Sequence, residues 1–215
     1  MNHDRRKIDE LESRLGNGDK EALATLFDCH RDRLRHIVYF RMNPMLQQRL
    51  EPDDVLQEAY IEAAKRMDHF VKNRFASSFL WLRLIANQTL IDMHRRHLGA
   101  QARDVRREVA LEGLMYSEST SSSMVIQLAA SATSPSQLAT RHQLVGKVTA
   151  VVNRLEPLDQ EILALRHFEE LTNSETANVL GIEQKAASIR YVRALQRLKS
   201  ALADVPGFFT ERQDG

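Results

Sequence analysis

A single cysteine, Cys29, in 215 residues excludes an intramolecular disulfide and any multi-cysteine metal site, and suits a reducing compartment. Glycine and proline number only 8 and 5 and aromatics make up 6%, so the turn chemistry of a many-stranded sandwich is largely missing. No apolar run approaches the roughly 18 residues of a membrane span. The opening MNHDRRKIDELES has no hydrophobic signal core. Membrane insertion is therefore not expected, and a cytoplasmic location is. Charge of one sign is also missing: 30 Lys and Arg against 29 Asp and Glu leave +1, which excludes a uniformly basic coat or an acidic disordered tail and makes local segregation the informative quantity. There is no Gly-rich phosphate loop, no nucleophile elbow and no poised Cys/His/Asp set. The histidines show no zinc-protease spacing, and His94 and His97 lie in a basic run that repels a cation. Neither an enzyme, a metal nor a cofactor is expected.

What remains is helical periodicity. Ile8, Leu11 and Leu15 predict a short leading helix ended by Gly16-Asn17-Gly18. Leu23, Leu26, Phe27, Leu34, Ile37 and Val38 predict a long amphipathic helix running toward Pro44. Glu51-Pro52-Asp53-Asp54 opens another, with proline where its missing N–H costs nothing and carboxylates at the positive end of the macrodipole. Its stripe is Val55, Ala59, Ala63, Met67 and Phe70. The segment FLWLRLIANQTLIDMHRRH is apolar nearly all round at first and basic at its end, so it must be covered on several sides, with Trp81 in the core. Residues 111–140 hold two acids, no Lys or Arg and the run SESTSSS, which reads as a flexible tether on which Met124 to Leu128 can dock weakly. No sustained alternation of period two appears. The expectation is an all-α chain of two small helical domains: an extension with a short helix at 1–18, a domain at 19–110, the tether at 111–140, a second domain at 141–205 and a tail at 206–215.

The second domain reads as a helix-turn-helix. Thr172 and Glu175 have the spacing of a capping box, Ala177 lets a second helix approach closely, and Gly181 tolerates a left-handed turn. The following helix, near 184–202, is expected to bury Ala187, Tyr191, Leu195 and Leu198. Lys185, Arg190, Arg193, Arg197 and Lys199 then oppose only Glu183, a balance that suits phosphates, with the N-terminal side chains free for base edges. In the first domain, EPDDVLQEAYIE carries five carboxylates and no base, whereas 72–107 carries eight Lys and Arg against two Asp. An acidic patch suits a basic protein partner, and a basic face with aromatics nearby suits nucleic acid.

DDVLQEAYIEA (Asp53 to Ala63) and SFLWLRLIANQTLIDMHRR (Ser78 to Arg96), followed after the tether by LEPLDQEILALRHFEELTNSETANVLGIEQKAASIRYVRALQRLK (Leu155 to Lys199), resemble the bacterial RNA polymerase sigma factors of the sigma-70 family, extracytoplasmic-function group. The resemblance covers about residues 20–100 and 140–202. It implies a factor that binds core RNA polymerase, selects promoter DNA and assists its opening, with an anti-sigma factor as a further partner. It implies Asp54, Val55, Gln57 and Glu58 as the polymerase contacts. The minus-ten residues would be Asn73, Arg74, Phe75, Ser78, Asn87, Arg95 and Arg96, and those for the minus-thirty-five element Thr172, Lys185, Ser188, Arg190 and Arg193. The recognition helix opens with Lys185-Ala186-Ala187-Ser188 where the family commonly has Gly-Thr-Val-Lys, so the promoter sequence is not carried over. The residues by themselves also admit a helix-turn-helix regulator with an N-terminal sensing or dimerising domain, or a helical adaptor, although the adaptor leaves the capped basic unit unexplained.

Overall fold

The computed structural model describes residues 2–72, 75–98, 108–132 and 138–209. Every regular element among these residues is helical, and the chain divides into two compact units, Met1–Arg107 and Glu108–Gly215.

The first unit holds α1 (Asn2–Gly16), α2 (Lys20–Arg41), α3 (Pro44–Gln47), α4 (Pro52–Lys65), α5 (Met67–Lys72) and α6 (Ser78–Leu98). Gly18, at φ 83°, makes the turn after α1. Asp19 then caps α2, its carboxylate accepting from the backbone N–H groups of Glu21 and Ala22 at 2.9 and 3.3 Å. The Arg14 guanidinium, donating to the same side chain at 2.8 Å, helps hold that carboxyl below its ordinary range. The expected α2 stripe, Leu23, Leu26, Phe27, Leu34, Ile37 and Val38, is buried throughout. α6 packs on both α2 and α4, which is why its first half buries Phe79, Leu80, Trp81, Leu82, Ile85 and Ala86. Trp81 is fully buried, the core position its neighbours imply.

The start of α6 has two sources of caps. Ser77 Oγ accepts from the Leu80 N–H at 3.3 Å, and the Ser77 carbonyl accepts from Trp81 at 3.2 Å. The Ser78 N–H, which has no intrahelical acceptor, donates to the Glu12 carboxylate of α1 at 2.5 Å. α6 carries no acid in its own first turn, so α1 supplies the negative charge that favours a helix N-terminus. With Leu11 and Leu15 buried as well, α1 is a packed part of this unit.

The second unit holds α7 (Glu108–Ser131), α8 (Leu138–Val152), α9 (Pro157–Leu163), a π-helical turn over Ala164–Phe168, α10 (Asn173–Leu180) and α11 (Gln184–Ala203). The stretch expected to be a tether thus carries a 24-residue helix. α7 packs on α8 and α9, burying Thr120, Ser123, Met124, Val125 and Ala129. Small hydroxyl side chains that read as solvated instead permit close approach and supply a hydrogen bond. Ser121 Oγ donates to Gln160 Oε1 at 2.6 Å. The Gln160 amide in turn donates to the carbonyls of Val152 and Leu155 at 3.1 Å each, tying α7, α9 and the end of α8 together. Residues 133–137 of the expected tether lie outside the described residues.

α11 buries Ala187, Ala194, Leu198 and Leu202. This corrects the stripe expected from spacing: Leu195 is 38% exposed and Tyr191 half-buried. A helix of 3.6 residues per turn returns to one face in steps of three as well as four, and the step from Tyr191 is three.

Candidate functional site

The carboxylates of α4 do not form the open acidic surface that their run suggests. Asp53 pairs with Arg31 at 3.5 Å and Arg35 at 3.0 Å, both from α2. Asp54 closes the N-terminus by accepting from the Glu51 N–H at 2.8 Å. Glu58 pairs with Arg96 of α6 at 2.5 Å, and Glu62 takes Lys65 at 2.8 Å and Arg66 at 3.1 Å. The Lys65 hydrogen bond leads the causes that hold the Glu62 carboxyl below its ordinary value, with burial opposing it. Of the four expected polymerase contacts, Gln57 and Asp54 are exposed and Glu58 is half-buried in its ion pair. Val55 is wholly buried and packs the interior, so it presents nothing to a partner. Beside Gln57 a groove of about 420 Å³ runs between α2 and α4, lined by residues that include Phe27, Asp28, Arg31, Tyr60 and Ile61. The Phe27 and Tyr60 rings meet edge to face at 5.2 Å, and Ile61 is an exposed apolar side chain of this surface. Sequence spacing did not single it out.

Of the expected minus-ten residues, Asn73 and Arg74 lie outside the described residues. Phe75 is half-buried, its ring parallel to Phe70 at 6.4 Å and near His69 at 5.6 Å. Phe70 continues to Trp81 at 5.3 Å, so Phe75 is the outer member of an aromatic stack rooted in the core. Ser78 is fully buried, and its Oγ lies 3.2 Å from His30 Nε2. Ser78 is thus enclosed on two sides, its hydroxyl against α2 and its N–H against Glu12 of α1. Asn87 is buried too, and its Oδ1 has no hydrogen-bond partner, a costly state for a polar atom. Arg95 and Arg96 stand at the solvent end of α6, pairing with Asp92 at 3.9 Å and Glu58 respectively. His94, between these basic residues and Asp92, is pushed below its ordinary value by burial.

In the second unit the helix-turn-helix is formed as its sequence predicts. Glu175 N–H donates to Thr172 Oγ1 at 3.2 Å, and Thr172 N–H donates to Glu175 Oε2 at 2.8 Å. Gly181 adopts φ 63°, ψ 32°, and the Ile182 N–H donates to the Ala177 carbonyl at 3.1 Å. One contact that spacing could not reveal sets the angle of the motif. The Asn173 amide donates to the Gln184 carbonyl at 2.9 Å, tying the start of α10 to the start of α11. Lys185, Ser188 and Arg193 are exposed on α11. Thr172 is exposed as well, but its hydroxyl is used by the cap. Arg190 is partly turned inward, 3.7 Å from Asp159, a buried carboxylate of α9 that also takes Arg197 at 2.5 Å. The basic residues of α11 therefore divide between those that hold the helix down and those that face outward.

A helical unit ending in a basic helix, and a second unit carrying a capped helix-turn-helix with cations outward, define a two-domain DNA-binding transcription protein. Residues 26–98 match Sigma-70 region 2 and residues 151–200 match Sigma-70, region 4, and the chain belongs to the sigma-70 family, in its extracytoplasmic-function group. The ECF RNA polymerase sigma factor SigW of Bacillus subtilis (strain 168) is 28% identical over 190 residues, covering 87% of this chain and 92% of that protein. The RNA polymerase sigma factor NccH of Alcaligenes xylosoxydans xylosoxydans is 24% identical over 200 residues, covering 91% and 95%. Among solved structures, CnrH in complex with the cytosolic domain of CnrY shares 21% identity at a TM-score of 0.48, over 90% of this chain and 96% of that one. As a sigma factor, the protein is a transcription initiation factor that binds core RNA polymerase and directs it to promoters.

Proposed function

We propose that the α2–α4 groove, with Gln57 and Ile61 on its rim and Asp54 at the helix start, is the polymerase-docking face of the first unit. The entry to α6 and its basic end, Arg95 and Arg96, then take the minus-ten element, and Phe75, rooted on Phe70, offers a stacking face for an unpaired base. Asn73 and Arg74 join this role as neighbours of Phe75 in sequence. The outward residues Lys185, Ser188 and Arg193 of α11 take the minus-thirty-five duplex, residues 111–140 join the two functions, and the polymerase is the only catalyst. The protein acts in the cytoplasm beside the polymerase, and no described helix is long and apolar enough to cross a membrane.

The observation that carries this reading is the helix-turn-helix, whose cap, left-handed glycine and Asn173 clamp hold a helix with an exposed cationic N-terminal half. The test adds the purified chain to sigma-free core polymerase and scores specific initiation. Ile61→Asp should abolish core binding at unchanged helicity. Asn73→Ala with Arg74→Ala should impair initiation on duplex promoters more than on templates mismatched in the minus-ten region, because flipping a base costs a few kcal/mol that a premelted template no longer requires. Equal impairment on both templates removes the opening role.

A further inference from the structure

α11 has an outward face that its role as a basic helix does not explain. Ile189 and Val192 are 45% and 49% exposed, and they are the sixth and ninth residues of the helix that starts at Gln184. The buried stripe runs through Ala187, Ala194 and Leu198. At about 100° per residue, Ile189 projects roughly opposite that stripe, with Val192 beside it on the next turn. The two side chains contribute little to the core. Isolated apolar side chains on a surface are ordinary, but these two are adjacent, β-branched and rigid, and set between the outward cations Lys185 and Arg193. A face of that composition fits a surface that is anionic around its edges and apolar at one spot in its middle.

Resting on the reading of this unit as the minus-thirty-five reader, we infer that Ile189 and Val192 are specificity-determining residues that read thymine C5-methyl groups in the major groove. The methyl is the one apolar group that an unmodified base edge presents there. The donors beside it suit guanine: Lys185 and Arg193 can reach O6 and N7, and Ser188 can serve either kind of edge. α11 contains no Asp or Glu, so it has no carboxylate to accept from cytosine N4. The face therefore favours guanine beside thymine. The three-residue separation of Ile189 and Val192 along the helix, about 4.5 Å, places their thymines one or two base pairs apart.

The experiment changes the DNA, so no protein variant has to survive for it to be informative. Holoenzyme reconstituted from core polymerase and the full chain selects from duplexes randomised upstream of a premelted start region, and each selected thymine is then replaced by deoxyuridine, which removes only the methyl. One or two thymines should be fixed in the selected element. Each replacement should weaken wild-type binding roughly fourfold, the factor that corresponds to about 0.8 kcal/mol per buried carbon at 1.4 kcal/mol per tenfold. Ile189→Ser should make binding indifferent to deoxyuridine at one of these positions, and Val192→Ser at the other, with helicity unchanged. An element without required thymines, a neutral deoxyuridine, or an equal loss in wild type and variants overturns the inference. If Arg193→Ala still weakens binding in that case, the minus-thirty-five reading stands without it. If the wild type enriches no upstream element and Lys185→Ala and Arg193→Ala are harmless, both fall together. Loss of core binding in the serine variants would assign the face to a protein contact and overturn the inference as well.

Discussion

Asp159 is the residue on which the seating of α11 turns. Its side chain is 2% exposed and meets Arg197 at 2.5 Å and Arg190 at 3.7 Å. Asp159→Asn keeps the shape and removes the charge. Breaking a fully buried ion pair costs about 3–5 kcal/mol. Here the arginines are 56% and 39% exposed, so water can take over both guanidinium groups, and the loss should fall to about 1.5–3 kcal/mol, the range of hydrogen bonds to charged groups. Arg197→Ala should cost less, because Arg190 remains as a counter-charge, and the Asp159→Asn/Arg197→Ala cycle should show a coupling of about 1–2 kcal/mol. The single tryptophan separates the units: Trp81 lies in the core of the first, so its fluorescence follows that unit, while far-ultraviolet circular dichroism follows both. In urea the Asp159 variant should shift part of the dichroism transition and leave the Trp81 transition in place. Because Arg190 is engaged with Asp159, Arg190→Ala should weaken upstream DNA evenly across sequences and should not relax one base position. A cost below about 0.5 kcal/mol, strict additivity in the cycle, or a position-specific change in the Arg190 variant would refute this account.

Three further outcomes can be measured with the same probes. Glu12→Ala should destabilise the Trp81 transition by about 1 kcal/mol, the usual cost of a lost helix cap, and Glu12→Gln, which keeps an acceptor for the Ser78 N–H, should recover part of that; equal losses would show that the cap is idle. Burial lowers the His94 pKa from 6.5, so the unfolded chain takes up this proton first. The associated stability is present above pH 6.5 and is lost as pH falls through the folded value. Lowering pH from about 7.5 to 5.5 should thus destabilise the first unit more in the wild type than in His94→Gln, and parallel curves would exclude His94 as the source. Glu170 sits at φ 55°, the only non-glycine residue with positive φ among those described. Glu170→Gly should stabilise the second unit by up to about 1 kcal/mol through relief of the left-handed conformation, and a lower dichroism midpoint would contradict this.

The sequence alone determined the features whose physics is local. The α2 stripe, the Thr172/Glu175 cap, the Gly181 turn and the wholly apolar start of α6 were legible because 3.6-residue periodicity, capping chemistry and left-handed glycine act within a few residues of one another. The motif order around those features was enough to suggest the family. Partners contributed by distant segments were not legible. The carboxylates of α4 read as a bare acidic face, yet their counter-charges come from α2, α6 and the end of α4 itself. Arg190 read as a free base contact, although Asp159 lies 31 positions earlier in the chain. Ser78 read as a strand-facing side chain, but Glu12 and His30 close over it. The Ser/Thr run of 117–123 read as solvated chain because composition reports hydration; only the packing of α7 against α8 and α9 brought Ser121 to Gln160 and buried Thr120 and Ser123. A charge's availability depends on what the fold brings within about 4 Å of it. The tertiary structure therefore decided which charged and hydroxyl side chains were left to meet polymerase and DNA, and it left Ile189 and Val192 outward on the recognition helix.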